Sequence, residues 1–221
     1  MEYHKIQTLF KRDDNVIIIP AEYTLEEFNY LKDCVFECTE KIDGMNARVE
    51  INRGEIANIV SYKGRTDKAI VPIPLYNYMC ETFPKQKVLD LFPECNNVTI
   101  YGEGYGVKIQ NGGNYISNGV SFILFDVRVG GWWLSRKDCE EIANKLNIGI
   151  VPIIGYMTIP QAIEYVDKGF KSTIAENKNY DAEGLVLRTP NGLKLRNGER
   201  IIIKIKTRDF VKYRNSQNKL K

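Results

Sequence analysis

Six short runs in which apolar and polar residues alternate constrain this chain more than any other feature: Ala47 to Ile51, Glu55 to Tyr62, Val98 to Tyr101, Ser121 to Val129, Gly184 to Leu187 and Ile201 to Ile205. A period of two turns successive side chains to opposite faces, so each run reads as a strand with one face on a core. Glycine, asparagine and proline bound the runs. Asn52-Arg53-Gly54 fits a hairpin turn between the first two, and Gly130-Gly131, between Val129 and Trp132, fits another. Cys34-Val35-Phe36 reads as a further strand. Helical spacing appears in three stretches: Leu75 to Phe83, Ser135 to Leu146 with Ser135 as N-cap, and Thr158 to Val166 with Thr158 capping and Pro160 in the first turn. Hairpin-linked strands with short helices between them imply an α+β fold of largely antiparallel sheets. No internal repeat, low-complexity block or Pro/Ser-rich linker divides the 221 residues, so one domain over 1–221 is expected.

Composition narrows the class. An apolar fraction of 43% with 27% charged residues suits a soluble globular protein. No stretch approaches the roughly 18 uninterrupted apolar residues of a membrane span, so a soluble, cytoplasmic protein with no membrane partner is expected. Five scattered cysteines and a single histidine, His4, suggest neither a disulfide framework nor a usual zinc site, and fit a reducing compartment. Charge is unevenly spread. From Lys194 to Lys221 the chain carries +8, which leaves −5 on the other 193 residues of a chain whose net charge is +3. Such segregation points to a polyanionic partner, although the last eight residues, from Arg214, read as a solvated, frayed tail.

Reactive chemistry concentrates around Thr39-Glu40-Lys41-Ile42-Asp43-Gly44-Met45-Asn46-Ala47-Arg48. A lysine amine is a poor nucleophile while protonated and needs desolvation, a nearby cation or a bound metal before it attacks phosphorus. Gly44 leaves room for close backbone approach, and Asp43 can orient a metal-bound water or the amine. Further short motifs follow in order: Lys63-Gly64-Arg65-Thr66; Tyr101-Gly102-Glu103-Gly104 at a strand end; Phe122-Ile123-Leu124-Phe125-Asp126; Asp181-Ala182-Glu183-Gly184 at a strand start; and Ile203-Lys204-Ile205-Lys206. Alternation turns Lys204 and Lys206 to one face of their strand, as two contacts to one phosphate require, and leaves Ile201, Ile203 and Ile205 for the other. Each motif alone is equally a turn carboxylate, a hairpin-tip charge or a basic strand face.

Taken together and in this order, the motifs resemble those of the covalent nucleotidyltransferases, the superfamily of polynucleotide ligases and messenger-RNA capping enzymes, over residues from about 36 to 208. Details favour the type-2, phage-like RNA ligases. Asn46 stands two residues past the motif glycine, Glu103 leads into the segment Gly106-Val107-Lys108-Ile109-Gln110-Asn111-Gly112-Gly113, and the last lysine motif continues as Thr207-Arg208-Asp209-Phe210. Asp43 departs from that branch, where many members carry histidine, and matches DNA ligases and capping enzymes.

The resemblance implies an adenylation domain with a central nucleotide cleft. It also implies an enzyme that uses ATP with Mg²⁺ or Mn²⁺ to place AMP on Lys41, passes it to a 5′-phosphate, and seals that end to a 3′-OH. RNA ends or a nicked duplex would be the partner, and a monomer the expected state. Lys204 and Lys206 would contact the α-phosphate and assist catalysis; Glu40, Ile42, Asn46, Arg65, Glu103 and Phe125 would surround the nucleotide; Glu183 and Asp43 would be metal ligands. Three points stay open: Phe122 competes with Phe125 for stacking on adenine, Lys63 competes with Arg65, and either the side chain or the backbone of Glu40 would face the base. Trp132-Trp133 and Tyr76-Asn77-Tyr78 read as packing more than as base-stacking surfaces. Only 15 residues follow Lys206, too few for an oligonucleotide-binding barrel or a helical C-terminal domain, so a catalytic domain with a basic tail is expected. The alternatives are a minimal DNA ligase or capping-type enzyme, and a nucleic-acid-binding module that lost catalysis; the complete set of Lys41, Glu103, Glu183, Lys204 and Lys206 speaks against the last.

Overall fold

The computed structural model describes residues 1–219. Along the chain these form strands β1 (Gln7–Thr8), β2 (Phe10–Arg12) and β3 (Ile18–Tyr23), helix α1 (Glu26–Tyr30), strands β4 (Phe36–Lys41), β5 (Met45–Arg53) and β6 (Asn58–Gly64), then helices α2 (Ile73–Thr82) and α3 (Lys85–Leu91). There follow β7 (Asn97–Gly106), β8 (Val120–Val129), β9 (Trp132–Trp133), α4 (Arg136–Leu146), β10 (Gly149–Ile150), β11 (Ile153–Met157), α5 (Ile159–Lys168), β12 (Gly184–Arg188), β13 (Ile202–Lys206) and α6 (Thr207–Lys219). The class is α+β, with open, largely antiparallel sheets as the alternation implies; among the described residues, β1 with β13 and β10 with β8 pair in parallel. Among the described residues no helix is long and apolar enough to cross a membrane.

Contacts gather the chain into two compact units. The first comprises Met1–His4, Asp43–Val151 and Ala175–Asn177. Its sheet runs β10-β8-β7-β5-β6, with β9 added beside β8. One face is apolar: Val49 and Ile51 of β5, Ile100 of β7, and Phe122 and Leu124 of β8 bury against Leu75, Met79 and Phe83 at α2 and Ile142 and Leu146 of α4. The other face carries polar groups. A bulge separates the two, because Tyr101 pairs with Asp126 while Gly102 pairs with Leu124, so Phe125 is the extra residue.

The second unit comprises Lys5–Ile42, Pro152–Ile174 and Lys178–Lys221. Its sheet runs β1-β13-β12-β4-β11 beside a separate β2-β3 hairpin. Phe36, Cys38, Leu185, Leu187, Ile203 and Ile205 line the covered face, against Ile159, Ala162 and Val166 of α5 and Phe210 of α6. Ile201, Ile203 and Ile205 are all buried, as their alternation with the lysines requires.

The expected helices form with their expected caps: Ser135 and Thr158 each close a capping box, with Asp138 and Gln161. Helix α2 starts earlier than its apolar spacing suggests, behind Pro72. Gly130-Gly131 is the hairpin loop read from sequence, with Gly130 at φ 55°. The first hairpin differs: Arg53 still pairs with Asn58, so the loop is 54–57 and Asn52 lies inside the ladder. The basic C-terminus also differs. Instead of fraying from Arg214 it stays helical to Lys219, because Phe210 is buried and Arg214 pairs with Asp167; Leu220 and Lys221 lie outside the described residues.

Candidate active site

Three of the expected residues are brought together by strand register. Strand β12 lies between β4 and β13, and Gly184 is the cross-strand partner of both Lys41 and Lys206. Two residues along, Val186 pairs with Thr39 and with Lys204. Directly paired residues share a face, so Lys41, Lys204 and Lys206 all stand on the face opposite the apolar core of their unit. Glu183, just before β12, reaches over this row: Oε2 accepts from Lys41 Nζ at 2.5 Å and Oε1 accepts from Lys206 Nζ at 2.6 Å. The carbonyl of Ile42, itself buried, lies 3.5 Å from the same Lys41 ammonium. Gly184 must be glycine, since its φ is 151° and a Cβ would fall 1.9 Å from the carbonyl oxygen of Ile205.

This row has a surplus of positive charge. Burial by itself would raise the Glu183 pKa, but the ammonium groups of Lys41 and Lys206 outweigh it and hold the carboxyl below its ordinary range. Lys204 is pushed down to about 8, by burial first and then by repulsion from Lys206, Lys41 and Lys5. Three lysines crowd around one carboxylate, which leaves an unbalanced cationic surface of the kind that an anion relieves.

Glu40 points to the covered side of the same strand and is buried. Its Oε1 accepts from Ser172 Oγ at 2.5 Å, and its Oε2 accepts from Thr173 N at 2.8 Å and Thr173 Oγ1 at 2.6 Å. The carboxylate is thus committed to holding the 172–173 loop, and any contact of this residue with a base falls to its backbone. Nothing in the sequence marks Ser172 and Thr173 as its partners.

The remaining expected residues belong to the first unit. Asn46 and Glu103 are cross-strand partners on β5 and β7, on the polar face of that sheet. The Asn46 side-chain oxygen is buried and has no hydrogen-bond partner among the described residues. Phe122 is buried on the apolar face, edge-on to Phe83 with ring centroids 5.1 Å apart. Phe125 instead stands half-buried on the polar face, edge-on to Tyr3 with centroids 5.1 Å apart. Arg65 is exposed just beyond β6, while Lys63 is engaged with Glu50 at 2.9 Å and Asp67 at 3.2 Å. Asp43 donates its backbone N–H to Tyr115 Oη at 3.1 Å, and its Oδ2 accepts from Asn111 Nδ2 at 2.8 Å. The Gly-rich segment after Glu103 therefore anchors the residue two past Lys41, a contact that the Ile-Gln pattern did not reveal. Gly44 packs so closely that a Cβ would lie 2.3 Å from the carbonyl oxygen of Gly104.

As donors for a hard cation, Glu183 and Asp43 have suitable oxygen chemistry. Among the described residues, however, no three acidic, histidine or cysteine side chains cluster. A cation held by either carboxylate would take its further ligands from phosphate oxygens and water, which is how Mg²⁺ is commonly held beside a nucleotide. The Trp-Trp pair divides: Trp133 packs beside Tyr101 with centroids 5.4 Å apart, and Trp132 is exposed.

The sequence model of one family, RNA ligase, matches residues 35–206. No curated protein matches the chain. Among solved structures the chain is similar to RNA ligase from Naegleria gruberi. A lysine-to-alanine variant with ATP and Mn matches at 20% identity and TM-score 0.61, over 95% of this chain and 57% of that one. The same enzyme with pyrophosphate matches at 20% identity and TM-score 0.61, over 95% and 58%. A lysine-to-methionine variant with AMP and Mn matches at 19% identity and TM-score 0.61, over 93% and 57%. The chain thus spans less than two thirds of the length of these structures, and at such identity they share its fold. With most of its length matched by the family model, this chain belongs to the RNA ligase family.

Proposed function

We propose that the chain is an ATP-dependent RNA ligase that carries AMP on Lys41 and seals a 5′-phosphate to a 3′-OH, acting as a monomer inside the cell and with the whole chain serving as one nucleotidyltransferase domain. The observation that carries this reading is the Glu183 carboxylate bridging Lys41 and Lys206 in a row of lysines on one sheet face. Among the described residues no two cysteines are joined in a disulfide.

The chemistry follows from charge. The Lys41 ammonium gives up a proton to solvent, and the amine attacks the α-phosphorus of ATP; an N–P bond forms as the P–O bond to pyrophosphate breaks. Glu183, held below the ordinary carboxylate range, is a weak base, so its part is to orient the amine and fix the neighbouring charge. Lys204 and Lys206 stabilise the negative charge that builds on the phosphoryl oxygens. The same cations serve the later steps, transfer of AMP to the 5′-phosphate and its displacement by the 3′-OH. Asn46 supplies a buried, unpartnered amide oxygen, Phe125 a ring for the base, Glu103 a carboxylate for ribose hydroxyls and Arg65 a cation for sugar or phosphate. Glu183 and Asp43 are the oxygen donors proposed for Mg²⁺ or Mn²⁺, which when bound neutralises phosphate charge.

Three outcomes are expected. Incubation with ATP, Mg²⁺ or Mn²⁺ and RNA carrying a 5′-phosphate nick should yield sealed product on a denaturing gel, and Lys41→Ala should abolish it; sealing by that variant would end the proposal.

Binding of an anion at Lys204 should restore its proton. Because its pKa in the free protein is about 8, pyrophosphate binding should take up protons above that pH and weaken as the pH rises further. Calorimetry in buffers of differing ionisation enthalpy should show this uptake in the wild type and its loss in Lys204→Ala; equal uptake in both would exclude Lys204 from the phosphate site.

The exposed face of α6 presents Arg208, Lys212 and Lys219, whereas Arg214 is held by Asp167. Replacing those three by glutamine should flatten the salt dependence of RNA binding by about 2 in log–log slope. An unchanged slope would place the RNA elsewhere.

A further inference from the structure

Arg48 has no part in the chemistry above, yet it is a fully buried cation. It lies on β5 between Asn46 and Glu50, on the polar face of that sheet, opposite Lys63 of β6. Its Nε donates to Glu50 Oε1 at 2.9 Å. Its Nη1 donates to the carbonyl of Gly64 and to that of Arg65, the latter at 2.7 Å, and its Nη2 donates to Asp67 Oδ1. Lys63 completes the cluster through the other oxygen of Glu50 and through Asp67. Burial would raise the Glu50 pKa, but the chain's α-amine, Lys63 and Arg48 hold it down at about 2, so the counter-charge to Arg48 is permanent.

A buried guanidinium is retained where its rigid fork does something a smaller or neutral group cannot. Here two of its bonds go to consecutive backbone carbonyls at the point where the chain leaves β6. The turn beyond is tight: Ala69 N–H donates to the Thr66 carbonyl at 3.1 Å, and a Cβ on Gly64 would lie 2.8 Å from that of Ala69. With both carbonyls fixed, the direction in which the exposed Arg65 side chain departs is fixed as well.

We propose that Arg48 is a positioning residue for nucleotide transfer, clamping the Gly64 and Arg65 carbonyls so that the Arg65 guanidinium is aimed at the nucleotide. This rests on the nucleotide contact proposed for Arg65. A lysine at 48 keeps the charge but presents one ammonium in place of the fork, and it cannot serve Glu50, Asp67 and both carbonyls together.

The test is a double-mutant cycle on single-turnover formation of the protein–AMP adduct, measured over a range of ATP concentrations, with urea unfolding run on each variant. Arg65→Ala and Arg48→Lys should each slow adduct formation by about 10-fold, the scale of a misplaced positioning group. In the Arg65→Ala background, Arg48→Lys should slow it by less than about twofold further, because what it positions is already gone. A lysine variant that stays folded and forms adduct at the wild-type rate, or effects that multiply in full, would overturn the inference. Should Arg48→Lys fail to fold, Asp67→Asn takes its place in the cycle, since that side chain is 64% exposed and removes one of the Arg48 contacts. It should show a smaller loss in the wild-type background, since both carbonyl bonds remain, and none in Arg65→Ala; equal losses in the two backgrounds would overturn the inference. Wild-type adduct formation unaffected by Arg65→Ala would instead remove the underlying nucleotide contact, an outcome distinct from multiplied effects.

Discussion

The central constraint is the register of three strands. Gly184 faces Lys41 on one side and Lys206 on the other, and its missing side chain lets the carbonyl of Ile205 come close. A slip of one residue between β12 and β13 would turn Lys204 and Lys206 into the apolar core and bring Ile203 and Ile205 out. Burial of Ile201, Ile203 and Ile205 therefore fixes where the lysines stand, and the core of this unit is what sets the face that carries them. Glu183 then has two ammonium groups within salt-bridge reach and compensates part of their repulsion. Lys204, which has no such partner among the described residues, is pushed down to about 8 by burial and by the neighbouring lysines.

In the other unit a comparable constraint is electrostatic. Arg48 and Lys63 face each other across β5 and β6, and Glu50 and Asp67 balance them, so the end of β6 is held by ionic bonds where the second unit relies on apolar packing. The same sheet separates its faces through the bulge at Phe125. Without that extra residue Phe125 and Val127 would share one face, and either the core or the polar face would lose its ring.

Much of this was legible in the chain because period and caps are local. The strand runs at 98–101, 121–129 and 184–187, the glycine hairpin at 130–131 and the two capping boxes follow from residues that lie within a few positions of one another. Motif order was enough to draw Lys41, Glu183, Lys204 and Lys206 into one account before any geometry. What escaped depends on distance along the chain or on brevity. Strands β1 and β2 are too short to show a period. Helix α6 is polar and owes its order to Phe210 and to the Arg214–Asp167 pair, contacts with residues far away in sequence. The Glu40 carboxylate is claimed by Ser172 and Thr173, 132 and 133 positions on, and Phe122 and Phe125 are told apart only by a bulge whose partner strand lies some twenty residues earlier.

In the proposed reaction Lys41 is the covalent attachment point within this row of charges. Peptide mapping by mass spectrometry after incubation with ATP and Mn²⁺ tests that directly. One adenylate on the peptide containing Lys41, with fragment ions assigning it to that side chain and much lower occupancy in Glu183→Gln, is the result the account requires. Adenylate on a different lysine, or undiminished occupancy in the Glu183 variant, would contradict it.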